Sequence, residues 1–324
     1  MKTATAIARA NIALAKYWGK SDSRLNLPAV PSVSLTLDPL VTETTVTFDG
    51  ALDRDVFELD GTEALGGELR RVTAMLDEVR ALSGVWERAR VVSVNHFPTA
   101  AGLASSASGF AALAGAASRA AGLDEGLHVL SARARRASAS AARSVFGGIV
   151  KLPAGEPGDD GLSAVEVAGP DHWDLRVVVA VTATGRKPIG SRDAMEESKS
   201  GSPYYDAWVA QSFESERRIT DALLARDFST LAPLVERSFL AMHAVAMTNT
   251  QAVIYWQPGS VAALHRIRAL RADGLDVCAT MDAGPHVKAI CTAQHAAQVQ
   301  AALDETEGVQ RTLLTRVGAG LEVR

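Results

Sequence analysis

Cysteine is scarce. Only Cys278 and Cys291 occur in 324 residues, both in apolar surroundings and without the paired spacing of a metal site or a disulfide scaffold. This excludes a disulfide-stapled fold and predicts buried thiols in a reducing compartment. Long hydrophobic runs are missing as well. Met1 to Ala10 alternates small and apolar residues without an uninterrupted apolar region, and no later segment approaches the ~20 apolar residues of a membrane span. A cytoplasmic protein with no membrane partner is expected. Neither sign of charge dominates: 33 Lys and Arg stand against 37 Asp and Glu, for a net charge of -4. A global basic field that would recruit nucleic acid is therefore excluded, and any bound anion must meet locally clustered cations. The seven histidines lack a metal-ligand spacing, so no structural metal site is expected.

What is present describes an ordinary folded protein, with 47% apolar and 22% charged residues. The length suits two domains, or one composite fold of two layered halves. A change from strand-rich to helix-rich pattern places the boundary near residue 180, giving halves 1–180 and 181–324 of an α/β, two-layer fold. Thr3–Ala8, Ser32–Asp38 and Thr42–Phe48 carry β-branched residues in alternation and read as strands, whereas Glu63–Leu82 has apolar residues at helical spacing. Ala89–Val94 reads as a strand and Ala104–Ala121 as a helix. A second small-residue helix is expected over Leu127–Ala142, then a strand at Ile149–Leu152, a turn over Ala154–Asp160 and a buried strand at Leu175–Thr182. The polar stretch from there to about Pro203 shows no clear periodicity. Helices follow at Tyr204–Ala225, Asp227–Met247 and Ser260–Ala272, then a strand at Leu275–Met281. A strand at Val287–Cys291, a helix at Ala293–Leu303 and a strand at Val309–Val317 close the chain.

Pro98 to Gly109 combines glycine, small side chains and hydroxyls directly before a helix. Such a segment lets a polyphosphate approach free N–H groups at the positive end of the helix dipole. It equally suits a tight, serine-capped turn before a well-packed alanine helix, and the residues alone leave both readings open. The segment is not a Walker loop, since no Gly-Lys-Ser/Thr follows, and it lacks the three-glycine dinucleotide spacing.

Asn95 to Gly109 closely resembles the nucleotide-phosphate loop of the GHMP kinase superfamily, in the form carried by diphosphomevalonate decarboxylases. Three further blocks agree in the same order: Asn11 to Lys20, Ser138 to Gly148, and Met281-Asp282-Ala283-Gly284-Pro285-His286. The chain departs from the pattern at Val30-Pro31-Ser32, where the family has Asn-Ser-Ser. It departs again at Ser138 to Arg143, where a family glycine is replaced by Ala139. These changes bear on contacts around Ser32 and Ser34 and on the substrate loop.

The resemblance implies a two-lobed fold with the active-site cleft between N- and C-terminal halves, ATP lying across the loop, and Mg²⁺. Asn95, Pro98, Ala100, Gly102, Leu103, Ala104, Ser105, Ser106 and Ser108 are the implied nucleotide residues, with the Ser105 and Ser106 hydroxyls near the phosphates and Mg²⁺. Asp282, Lys16, Arg143 and Ser191 are the implied reacting-centre residues. Tyr17, Lys20, Ser138, Ser140, Arg192 and Met195 join Arg143 around the substrate. On physical grounds Lys16 and Lys20 share a face if their segment is helical, and Ser140 and Arg143 are neighbours on a helix. A guanidinium fork suits a carboxylate better than an ammonium does. Asp282 lies at the end of a predicted strand, where it is either an Asx turn starter or a functional carboxylate. The implied activity is ATP-dependent decarboxylation of mevalonate 5-diphosphate to isopentenyl diphosphate, with a homodimer as the implied assembly. A phosphomevalonate decarboxylase, another small-molecule kinase of the superfamily and a non-catalytic binding protein are the rivals.

Overall fold

A computed structural model describes residues 2–97, 105–185 and 189–324. Its organising element is one long strand. The two strands expected over Ser32–Phe48 are a single strand, numbered β4 after β1 (Lys2–Ala15), β2 (Lys20–Asp22) and β3 (Leu27–Pro28), and it runs from Ser32 to Asp49. The sequence breaks at Asp38-Pro39, and there the β1–β4 register jumps, with Arg9 opposite Val41 but Ala10 opposite Leu37. Pairing resumes on both sides of this irregularity, so the break is a bulge rather than an end. β1 likewise outruns its predicted span by seven residues at its C-terminal end, and delivers Lys16 to the site.

Around β4 the chain adds β5 (Val56–Leu59), β6 (Thr62–Glu63), α1 (Gly67–Ser83), β7 (Arg88–Asn95), α2 (Ser105–Ala120) and α3 (Leu127–Ala137). Next come β8 (Ile149–Leu152), β9 (Val165–Ala168) and β10 (Leu175–Val181), then α4 (Ser191–Gly201), α5 (Tyr205–Ala225), α6 (Phe228–Met247) and α7 (Pro258–Ala272). β11 (Val277–Met281), β12 (Val287–Thr292), α8 (Ala296–Asp304), β13 (Arg311–Val317) and β14 (Glu322–Val323) complete it. Twelve strands form one sheet whose main path is β11-β12-β10-β13-β4-β7-β5-β6, with β1 and β8 also on β4.

The packing explains the sequence patterns. Val177 and Val179 of β10 face the core made with α5 and α6, whereas Val178 and Ala180 face the one made with α7 and α8. A strand covered on both faces must be apolar throughout, hence the unbroken run Val177–Val181. α2 is built of alanine and glycine because it lies close against the sheet: a Cβ on Gly115 would stand 3.0 Å from a methyl of Val323 in β14.

Two expectations need correction. The predicted helix Leu127–Ala142 stops at Ala137, Ser138 is extended (φ -157°, ψ 119°), and Ala139–Val145 forms a 3₁₀ helix. The polar stretch before Pro203 contains α4, whose buried side is only Ala194, Met195 and Ser198. With two small residues among the three, that stripe is too thin to register as periodicity.

Gly148 ties the 3₁₀ helix to the sheet: its N–H donates to the Gly318 carbonyl and its own carbonyl accepts from Thr36 N–H. It has φ 72°, and a Cβ would lie 2.2 Å from the Ala168 carbonyl oxygen. Gly148→Ala is expected to add about 1 to 3 kcal/mol of backbone strain besides the clash. The measurement is thermal denaturation; a Tm equal to that of the parent protein would show that this junction is not constrained.

Candidate active site

β1 ends at Ala15, and Lys16 to Gly19 follow without regular structure, so Lys16 to Lys20 is not the helix that a shared lysine face requires. The Lys16 N–H donates to Ser238 Oγ of α6, which anchors the segment. Its side chain turns inward, only 1% exposed, and Nζ donates to the Ala13 carbonyl at 2.6 Å and to Asp282 Oδ1 at 2.7 Å. Asp282 reaches this point from the other end of the chain, immediately after β11. The turn after it is pinned at the Pro285 carbonyl, which accepts from Thr182 Oγ1 at 2.7 Å and Ser260 Oγ at 2.5 Å. The other Asp282 oxygen, Oδ2, lies 3.5 Å from Lys288 Nζ of β12.

Arg143 stands in the 3₁₀ helix, fully buried, and its cradle is neutral. Nη1 donates to Ser32 Oγ at 2.8 Å, Nε to Ser34 Oγ at 3.1 Å, and Nη2 to Asn11 Oδ1 at 3.2 Å. Asn11 is itself oriented through Nδ2, which donates to Ser144 Oγ and the Ser140 carbonyl. Ser32 and Ser34 are two apart on β4 and so present the same face. Among the described residues no carboxylate forms an ion pair with Arg143.

The electrostatics follow from this arrangement. Burial pushes the Asp282 carboxyl up, but Lys16, Lys288 and Arg143 together outweigh it and bring its pKa down to about 2. Burial lowers Lys16 to about 8, with Asp282 opposing and Lys288 and Arg143 adding to the fall. Arg143 is lowered by burial to about 10, with Asp282 and Tyr17 opposing. The cluster sets three basic groups, Lys16, Lys288 and Arg143, against one carboxylate. His243 of α6 is neutral there, brought down to about 3 by burial and by the charge of Lys16.

The remaining substrate candidates follow, Tyr17 and Lys20 both feeling the charge of Arg192. Lys20 is buried, with its pKa lowered by burial and then by the charge of Arg192. Burial raises the pKa of Tyr17, and the charges of Arg143 and Arg192 oppose that rise. The Tyr17 and Tyr205 hydroxyls are buried with no partner among the described residues. Ser138 Oγ and Ser140 Oγ are 3.2 Å apart, because the helix breaks at Ser138 and the 3₁₀ turn begins. Ser191 and Arg192 open α4, and Met195 packs with Trp18, Tyr205 and Trp208. Arg71 of α1, stacked over Phe110, has its pKa lowered by burial and then by the charge of Arg192, and joins this group unforeseen.

The nucleotide candidates divide. Pro98, Ala100, Gly102, Leu103 and Ala104 lie outside the described residues. Ser105 and Ser106 occupy the first turn of α2, Ser106 exposed. Ser108 is wholly buried with its hydroxyl 2.7 Å from Thr42 Oγ1, and Asn95 is tied to Asp60 and Thr42. Among the described residues there is no group of three or more His, Cys, Asp or Glu that could hold a metal. Hydroxyl oxygens at a helix start, joined by phosphate oxygens, fit Mg²⁺, which is bound by few protein ligands and keeps several waters.

Asn11, Lys288 and Arg71 carry parts of the site that the motifs did not assign, and Ser32 and Ser34 serve Arg143 despite the altered residues before them. Two of these had a signal in the sequence. Asn11 is the polar residue inside the small apolar run Ala10 to Ala15, and Lys288 is the one charge in Val287 to Cys291.

Residues 8–163 match the family model of the diphosphomevalonate decarboxylase-like N-terminal domain, and residues 177–320 that of the mevalonate 5-diphosphate decarboxylase C-terminal domain. A diphosphomevalonate decarboxylase of Candida albicans is 34% identical, covering 88% of this chain and 83% of its own. A phosphomevalonate decarboxylase of Haloferax volcanii is 35% identical over 99% of this chain and 97% of its own. A solved complex of MDDEF with MVAPP, AMPPCP and magnesium superposes with a TM-score of 0.92 at 37% identity, covering 99% of this chain and 98% of that one. Two family models over most of the chain, in the order of its two halves, place the protein in the diphosphomevalonate decarboxylase family.

Proposed function

We propose that this enzyme phosphorylates the 3-hydroxyl of mevalonate 5-diphosphate with ATP and then decarboxylates it to isopentenyl diphosphate, with Lys16, Asp282 and Arg143 at the reacting end. The observation that carries the reading is the buried excess of positive charge. Three cations face one carboxylate, and an uncompensated buried charge costs several kcal/mol. A substrate carboxylate together with a transferring phosphoryl group supplies the missing negative charge.

In this reading Arg143 takes the substrate carboxylate. Its neutral cradle of Ser32, Ser34 and Asn11 fixes the plane of the guanidinium without spending its charge. Asp282 faces the 3-hydroxyl. With a pKa of about 2 it is a weak base, so it accepts the hydroxyl proton late, as bonding to phosphorus makes that oxygen acidic. Mg²⁺ held at Ser105 or Ser106 would supply charge neutralisation for the transfer. The 3-phosphate then departs with the C–O electron pair, toward Lys16. The C–CO₂⁻ bond gives its pair to the new double bond, and CO₂ is released. Ser191 at the head of α4 belongs to the same centre, while Tyr17, Lys20, Ser138, Ser140, Arg192 and Met195 form the wall for the diphosphate end. Asn95, Ser105, Ser106 and Ser108, with Pro98, Ala100, Gly102, Leu103 and Ala104, make the nucleotide side, and Ser105 or Ser106 the Mg²⁺ contact.

A division into a nucleotide half, 1–180, and a second half, 181–324, belongs to this reading, supported by the matched segments 8–163 and 177–320. A homodimer follows from the family resemblance and is tested by light scattering on the purified protein. Among the described residues no helix is long and apolar enough to cross a membrane, and a cytoplasmic site of action accords with the two buried, unbridged thiols. The second reading is a monophosphate substrate, favoured by the near-complete coverage of the Haloferax volcanii phosphomevalonate decarboxylase. Turnover of mevalonate and of its 5-phosphate and 5-diphosphate, with ADP and CO₂ followed together, decides between them. ADP without CO₂ would make the protein a kinase.

Asp282→Asn is expected to lose at least about 10²-fold in kcat with substrate binding retained, and more than a tenth of the parent kcat would remove Asp282 from the reaction. For Arg143→Gln, truncating one partner of a desolvated charge pair is expected to cost about 2 to 5 kcal/mol in kcat/KM for the acid while sparing ATP binding. Lysine at 143 should rescue only in part, since it keeps the charge and loses the fork. The ammonium form of Lys16 is the active one, so kcat/KM should fall as pH rises through about 8. A profile flat to pH 10 would contradict that role.

A further inference from the structure

We infer that Lys288 is a positioning residue of the reaction, clamping the second oxygen of Asp282 and setting the charge felt by Lys16. The inference rests on the reading of Lys16 and Asp282 as the reacting pair.

Lys288 lies within β12, between Val179 of β10 and Thr280 of β11, and its side chain is 4% exposed. An ammonium there serves the fold poorly, because hydrocarbon of similar volume packs such a site without the several kcal/mol of ion desolvation. Its acid partner is Asp282, and the two lysines divide that carboxylate: Lys16 holds Oδ1 at 2.7 Å and Lys288 stands 3.5 Å from Oδ2. The lengths differ in kind. The first is a tight charge-assisted hydrogen bond, and the second is mainly an attraction between charges. Asp282 is thus held from two sides, yet Oδ2 keeps the looser contact and remains the oxygen able to take a proton. Its side chain is 31% exposed, whereas both lysines are sealed.

The effect on Lys16 has a definite sign. The groups acting on it are Asp282 after β11, Lys288 on β12 and Arg143 in the 3₁₀ helix; His243 on α6 and His286, just before β12, in turn feel Lys288. Of these only Asp282 is anionic, and Lys288 is one of the two like charges that lower Lys16. Removing the Lys288 charge must therefore raise the pKa of Lys16 and loosen Asp282 in the same step.

The test uses Lys288→Met and Lys288→Arg with ATP, Mg²⁺ and mevalonate 5-diphosphate. For Lys288→Met a loss of about tenfold or more in kcat is expected, with both KM values within about threefold of the parent, as for an interaction made mainly in the transition state. Its alkaline limb of kcat/KM should move to higher pH, by about one unit for a charge at this range. Arginine should restore most of kcat and return the limb. Parent-like kcat in the methionine variant overturns the inference. So does an arginine variant as impaired as the methionine one with the limb unmoved, since that is the signature of packing alone. If the methionine variant does not fold, the arginine variant decides: loss of its activity, or a displaced limb, overturns the inference. ADP and CO₂ are followed separately, so parent enzyme that makes ADP without CO₂ refutes decarboxylation while Lys288 is still judged on ADP.

Discussion

The Lys16–Asp282 ion pair joins the two ends of the molecule, and much of the architecture can be understood as what is needed to bring it about. Lys16 comes from the end of β1 and Asp282 from the end of β11, separated by 266 residues. Both strands belong to the same twelve-stranded sheet, and the sheet fixes where they end. A buried pair of this kind is a weak source of stability, because desolvation offsets most of the attraction. Its presence is better explained by chemistry. The carboxylate must stay ionised at depth and the ammonium must stay charged, and each keeps the other so.

Arg143 shows the complementary solution. A second carboxylate beside it would stabilise the resting enzyme and occupy the fork that, in the proposed reading, takes the substrate carboxylate. The protein instead surrounds the guanidinium with the oxygens of Ser32, Ser34 and Asn11. These fix its orientation and leave its charge unspent, so the cost of burying it is recovered only when an anion arrives. Departure of the chain from the family pattern just before Ser32 leaves this cradle intact, because the two hydroxyls depend on β4 alternation rather than on the residues that precede them.

The legibility of the sequence varied with the kind of signal. Long elements with a strong pattern were readable: α5, α6 and α7 fall within two residues of their predicted limits, and the buried run of β10 reads directly as a strand. What was lost depended on tertiary context. The unity of β4 could not be seen through Asp38-Pro39, since pairing on both sides supplies the continuity. α4 has too narrow a buried face, and the turn from α helix to 3₁₀ helix at Ser138 leaves no mark in an alanine-rich run. Within the site, the motifs marked Lys16, Arg143 and Asp282, which stand in recognisable blocks. Lys288 and Arg71 were missed because each belongs to the site only through the fold, one across a strand pairing and the other from the first turns of α1.

The short segment from Lys16 to Lys20 makes the two ends of the site interdependent. Its four steps can span at most about 14 Å, so Lys16 and Lys20 cannot be repositioned separately. The segment is also held from outside. Trp18 Nε1 donates to Ser198 Oγ of α4, Trp208 Nε1 of α5 donates to the Trp18 carbonyl, and Lys199 Nζ donates to the Lys20 carbonyl. At Gly19, φ is 106°, and a Cβ would lie 2.1 Å from the Tyr205 hydroxyl oxygen. The bend therefore requires glycine on two independent grounds, conformation and space. The same α4 that grips this segment opens with Ser191 and Arg192. In the proposed reading, the cations for the far end of the substrate thus belong to the same packed unit as the segment that carries Lys16, and that unit sets the distance between carboxylate and phosphate recognition.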